Sequence, residues 1–154
     1  MCWFGERNDK GIAKEDIRCK KVFFKQPGHI RNRYVSPVMK TMYVKGETYE
    51  SDIVITRGIS RWKIEEGIHC YNMKKVDVER SKSESGERLV AKVPFTNNIY
   101  YGAQYHQYVY YGNDIGMEVV LVECIIPKGA IYYENKSGEI VTEKLIIGEE
   151  ITVK

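Results

Sequence analysis

The chain has 154 residues, with 43% hydrophobic and 29% charged side chains and a formal net charge of +3. That length and balance suit one globular domain spanning 1–154, large enough to bury its own core. No apolar run reaches membrane-spanning length, and the opening MCWFGERNDKG lacks the order of a secretory leader, so no membrane partner and a cytoplasmic setting are expected.

Charge is unevenly placed. Residues 1–50 carry eleven Lys and Arg against six Asp and Glu, and residues 114–154 carry four against eight. A basic half of this modest density suits a small phosphorylated ligand, and a long nucleic acid is not expected as a partner. The four cysteines, Cys2, Cys19, Cys70 and Cys124, are scattered with no CxxC pair. In a reducing compartment they read as packing residues, and Cys124 within VVLVECII reads as a small buried hydrophobe.

In chain order, Trp3 and Phe4 are expected to tuck against the body, and residues 12–17 to make a short helical turn. Arg18–Lys25 (RCKKVFFK) reads as a strand, ended by the turn Gln26-Pro27-Gly28-His29. Met39–Lys45 and Thr48–Thr56 read as strands, and Ile68–Tyr71 as a short one. Asn72–Arg80 is predicted to begin as a helix capped by Asn72, and Ser81–Glu87 (SKSESGE) to be an exposed loop. Arg88–Phe95 is a strand stopped at Pro94. Met117–Ile126 is the strongest strand, apolar enough for burial on both faces. After Pro127-Lys128-Gly129, strands resume at Ala130–Tyr133, Glu139–Ile147 and Glu149–Val153. The expected fold is α+β: a β-rich single domain with a mostly antiparallel, partly mixed sheet and a few short helices.

Asn97–Asp114 (NNIYYGAQYHQYVYYGND) holds six of the twelve tyrosines: Tyr100, Tyr101, Tyr105, Tyr108, Tyr110 and Tyr111, with His106 among them. Phenolic rings with a polar tip suit a surface that grips a ligand or another chain, and base stacking on such rings is worth about 1–3 kcal/mol each. Arg31, Arg33, Arg57 and Arg61 are candidate phosphate contacts, because a guanidinium matches phosphate geometry with two donors. His69 and Tyr71 complete the candidate ligand-binding set. Two other arrangements account for the same rings. Tyr101, Tyr105 and Tyr108 form a helical stripe packed on the core, or the rings make a homo-oligomer interface. The three histidines lie far apart in sequence, and no HxxxH, phosphate loop or nucleophile elbow is present, so neither a metal nor a catalytic residue is assigned.

Glu66-Gly67-Ile68-His69-Cys70-Tyr71, Ile125–Tyr133 and Ser36-Pro37 together resemble uncharacterised small proteins of phages and mobile elements of Bacteroidales-type bacteria. That resemblance implies a phage-encoded protein acting in the host cytoplasm. Pro127-Lys128-Gly129 followed by Glu143-Lys144-Leu145-Ile146-Ile147 is more distantly similar to the ADP-ribosyltransferases. That likeness implies NAD as the consumed cofactor, Glu143 as the catalytic acid, and Arg18 or His69 standing in for the family's early basic residue; Val141 stands where the family often has Gln or Glu. The expected function is a non-catalytic binding protein for a nucleotide-like or phosphorylated ligand, of a kind that sequesters a host immune signal. The alternatives are an ADP-ribosyltransferase-like enzyme and an oligomeric interaction protein with a tyrosine-rich interface.

Overall fold

The computed structural model describes residues 3–25, 33–37, 41–59, 61–84, 86–94, 105–112 and 116–153. Among these residues sixteen strands follow one another: β1 (Trp3–Gly5), β2 (Lys10–Ile12), β3 (Ile17–Lys25), β4 (Arg33–Val35), β5 (Met42–Val44) and β6 (Thr48–Glu50). Then come β7 (Val54–Arg57), β8 (Trp62–Glu66), β9 (Ile68–Asn72), β10 (Asp77–Ser83) and β11 (Gly86–Pro94). The last are β12 (Tyr105–Tyr111), β13 (Glu118–Ile126), β14 (Ile131–Glu134), β15 (Glu139–Thr142) and β16 (Lys144–Ile151).

The fold is all-β, which corrects the expected α+β class. Among the described residues the one helical element is a 3₁₀ turn at Arg7–Asp9, and the turn expected over 12–17 is not helical. Among the described residues every pairing is antiparallel, so the expected mixed part of the sheet is not seen there.

The Asn72 signal proved to be a turn signal. Its Oδ1 accepts the N–H groups of Lys74 (2.8 Å) and Lys75 (3.0 Å), as a helix cap would. The β-branched Val76 and Val78 that follow favour a strand, and the chain enters β10. The SKSESGE stretch is likewise no loop. Its described residues form the closing end of the β10–β11 hairpin, where Glu87 pairs across the strands with Arg80 (2.9 Å) and Lys82 (4.0 Å). Asn72→Ala is expected to lower the unfolding free energy by about 1 kcal/mol in a urea titration, since two N–H groups lose their acceptor. An unchanged midpoint would show that the turn does not depend on that oxygen.

A ten-stranded sheet runs β2-β14-β15-β9-β3-β13-β16-β6, with β4 joined to β3 and β5 to β4. Its centre is the β3–β13 pair, in register from Ile17↔Ile126 to Lys25↔Glu118. One face packs only against itself: Cys19, Phe23, Ile68, Val122, Ile126, Ile140 and Leu145 meet in one buried cluster, so the sheet must curl around it. A bulge where Gly148 passes Glu123 helps the curl; a Cβ on Gly148 would lie 2.5 Å from the Glu123 carbonyl oxygen.

The outer face is covered by two three-stranded sheets. β10-β11-β12 closes over Val22, Phe24, Tyr71, Val119 and Leu121. β1-β8-β7 closes over Tyr133 and Val141 with Trp3 and Ile64. β3 and β13 are therefore buried on both faces, as the apolar run of β13 implied. Trp3 is buried and donates its indole N–H to the Glu139 carbonyl at 2.8 Å, whereas Phe4 stays 40% exposed.

Candidate functional site

The candidate site lies where the central sheet splits. β9 leaves β8 at Gly67, whose φ is +141° and on which a Cβ would lie 2.3 Å from Val141 Cγ1, so a side chain has no room there. β9 then pairs with β3 only at Lys20↔Tyr71 and Cys19↔Asn72. Beyond Lys20 the two strands part, and β3 next meets β4 at Phe24↔Val35. A cleft of about 560 Å³ opens at the divergence. Lys21, Val22, Tyr43, Tyr49, Gly67, His69, Tyr71 and Tyr110 are among its walls, and Glu50, Glu65 and Glu66 stand at its rim.

Lys21 spans the split. Its ammonium donates to the His69 carbonyl at 2.6 Å and lies 5.5 Å and 5.9 Å from the ring centroids of Phe23 and Tyr43. Among the described residues no carboxylate pairs with it. Burial pulls its pKa below the ordinary lysine range, and the sulfurs of Cys70, Cys124 and Cys19 partly oppose that shift. A buried cation with rings beside it and no acid against it is costly to hold, and an incoming anion would relieve the cost.

His69 is mostly buried beside Lys21. Burial first and the lysine charge second bring its pKa down to about 4, so it is a neutral imidazole at neutral pH. The phenols stay protonated. Burial raises Tyr43, with Tyr49 adding to it, and burial with the neighbouring Tyr110 raises Tyr71. Tyr110 is pushed up to about 12, chiefly by burial. These groups offer hydrogen bonds and ring faces, and none is poised to exchange a proton near pH 7.

Residues 105–111 of the tyrosine-rich segment form a strand at the edge of the β10-β11-β12 sheet among the described residues, so Tyr105 and Tyr108 do not share a helical stripe. Strand alternation splits its rings. Tyr108 and Tyr110 face the central sheet: Tyr108 donates to Glu139 Oε2 at 3.1 Å, and the Tyr110 and Tyr71 hydroxyls share a short hydrogen bond. The Tyr71 and Tyr108 rings stack at 6.3 Å. Tyr111 faces outward, 43% exposed, and its hydroxyl accepts from Arg88 Nη1 at 3.1 Å. His106 is exposed on the same strand. Tyr105 begins β12, opposite Pro94. Tyr100, Tyr101 and Arg31 lie outside the described residues, as does the Gln26–His29 turn.

The cleft thus gathers three of the sequence-predicted residues, His69, Tyr71 and Tyr110. The arginines go elsewhere. Arg57 lies over Trp62 (5.1 Å) and Arg61 over Phe4 (4.3 Å), on the β1-β8-β7 sheet, and Arg33 is exposed on β4. Sequence reasoning missed Lys21, Val22, Tyr43 and Tyr49. The signal was faint but present: Cys19, Lys21 and Phe23 alternate, so a strand with both faces covered must bury that lysine.

Two other groupings differ in character. Cys19, Cys70 and Cys124 meet in the inner core as free thiols; burial pushes Cys124 up to about 12, and contact with Cys70 followed by burial raises Cys19. They pack as inert small hydrophobes. Glu143 lines a neighbouring cleft of about 500 Å³ with Asp52, Lys128 and the Glu50 and Ser51 that also border the first cleft. Its Oε1 accepts the Ile131 N–H at 2.9 Å, tying the carboxylate to the start of β14. Among the described residues no group of three or more His, Cys, Asp or Glu is placed to hold a metal ion, and no helix is long and apolar enough to cross a membrane. No protein-family model, curated protein or solved structure matches the chain.

Proposed function

We propose that the protein is a non-catalytic binding protein for a small nucleotide-like or phosphorylated ligand held in the Lys21–His69 cleft. The observation that carries this is the buried Lys21 ammonium, turned into an aromatic-walled cleft with no carboxylate paired to it among the described residues. An anionic group on the ligand supplies the missing charge, and the rings of Tyr43, Tyr49, Tyr71 and Tyr110 supply contact area for a planar group. Binding without turnover accords with a neutral histidine, protonated phenols and buried thiols.

Thermal-shift and calorimetric screening against mono- and cyclic nucleotides and sugar phosphates is expected to find a ligand that binds at micromolar or better concentration and raises the melting temperature. At a hundredfold excess over Kd the stabilisation amounts to about 2.7 kcal/mol. No shift with any of these ligands at millimolar concentration would sink the proposal.

A further inference from the structure

We propose that the cleft reads the hydrogen-bonding edge of a planar ring, a nucleobase or ring carboxamide, through the main chain of Val22. This rests on the nucleotide-type function proposed above and says which part of such a ligand the protein recognises.

The inference follows from the parity of the β-ladder. Asn72 donates its N–H to the Gly138 carbonyl at 2.8 Å, so the even-numbered residues of β9 address β15. The odd-numbered ones, Tyr71 and His69, therefore direct their peptide groups toward β3. Lys20↔Tyr71 is accordingly a hydrogen-bonded pair, and Val22↔His69 would be the next. That pair is not formed, because the strands have parted. The His69 carbonyl is taken by the Lys21 ammonium instead, whereas by the same parity the N–H and C=O of Val22, a residue of the cleft wall, point to the side from which β9 has parted.

In an antiparallel strand the N–H and C=O of one residue lie side by side, a donor next to an acceptor in the plane of the sheet. Buried peptide groups of this kind need a partner. Val22 is 3% exposed and lines the cleft. A ring lying in the sheet plane, with an adjacent donor and acceptor on its rim, completes the broken rung. Its two faces then meet rings from both sides of the sheet: Tyr43 and Tyr49 belong to the inner cluster, and Tyr71 and Tyr110 to the outer. Lys21, the adjacent residue on β3, takes the anionic group. Main-chain reading of this kind leaves no polar side-chain motif for the sequence to show.

The test uses the intact ¹⁵N-labelled protein with AMP, UMP, their edge-blocked counterparts N6,N6-dimethyl-AMP and 3-methyl-UMP, and ribose 5-phosphate. Binding of AMP or UMP is expected to shift the Val22 amide resonance and slow its hydrogen exchange. Blocking the ring edge is expected to weaken binding at least tenfold, and removing the ring at least a hundredfold. Edge-blocked nucleotides binding within twofold of their parents, or a Val22 amide unmoved by a bound nucleotide, would overturn the inference. Ribose 5-phosphate binding as tightly as the nucleotides would also overturn it, while leaving a phosphate-binding function standing. No binding by any of the five would overturn the inference, while the proposed function is decided by the wider screen of cyclic nucleotides and sugar phosphates.

Discussion

Lys21→Met is expected to make the ligand-free protein more stable by about 1–2 kcal/mol while weakening nucleotide binding by about a hundredfold. The two effects have opposite signs because one group causes both. Holding an ammonium in a mostly apolar site costs several kcal/mol, and its single hydrogen bond to the His69 carbonyl returns only part of that. Methionine keeps the length and the packing against Phe23 and Tyr43 but carries no charge to desolvate. It leaves the His69 carbonyl short of a donor, an offset of about 1 kcal/mol, which is why the net gain is modest. The lost charge-assisted contact to an anion accounts for the weaker binding. Urea unfolding of the empty protein and calorimetry with AMP measure the two halves separately. A methionine variant less stable than the parent would show that Lys21 serves the fold.

The second large effect is acid sensitivity through His69. Its pKa is about 4 in the folded protein and near 6.5 in the unfolded chain. Between those values the unfolded chain takes up a proton that the folded protein refuses, so folding loses stability as pH falls through that window. The loss is complete near pH 4 and absent above pH 7. It comes to about 2 kcal/mol between pH 7 and 5 and about 3 kcal/mol by pH 4. His69→Gln lacks this component, and subtracting its urea-unfolding profile from that of the wild type removes the carboxylates that titrate below pH 5 in both. Parallel profiles for the two proteins would show that His69 meets no such penalty.

Strands were easier to read from the sequence than the fold class. Val22-Phe23-Phe24 and the run from Met117 to Ile126 point to the central pair because β-branched and aromatic residues leave few other options. The α+β expectation failed at residues 12–17, which are not helical, and at Asn72. A side chain that accepts two successive N–H groups serves a tight turn as well as a helix start, and only Val76 and Val78 decide between them. Of the β10–β11 hairpin, the β11 half was read as a strand, whereas β10 was hidden because a solvent-facing strand has the same composition as a loop.

In the cleft, His69, Tyr71 and Tyr110 stood out as residue types, whereas Lys21 is one of four basic residues in RCKKVFFK, and its alternation with Cys19 and Phe23 is a faint local mark. Its burial is decided by β4, β5 and β9, which lie far along the chain. Val22 could not have been found by residue type at all, since what it offers is main chain.

The β3–β13 pairing has a consequence for the order in which the protein can be built. Cys19 sits opposite Cys124, and the strands that follow β13 take interior places on both sides of that pair in the same sheet. A nascent chain therefore carries Val22-Phe23-Phe24 without its partner until residue 126 has left the ribosome, several seconds after β3 was made at ordinary rates of synthesis. Closing a loop of about a hundred residues before any contact rewards it makes folding slow, on the millisecond-to-second scale of β-rich proteins. For those seconds the strand destined for the centre of the sheet is the segment most in need of protection from other chains.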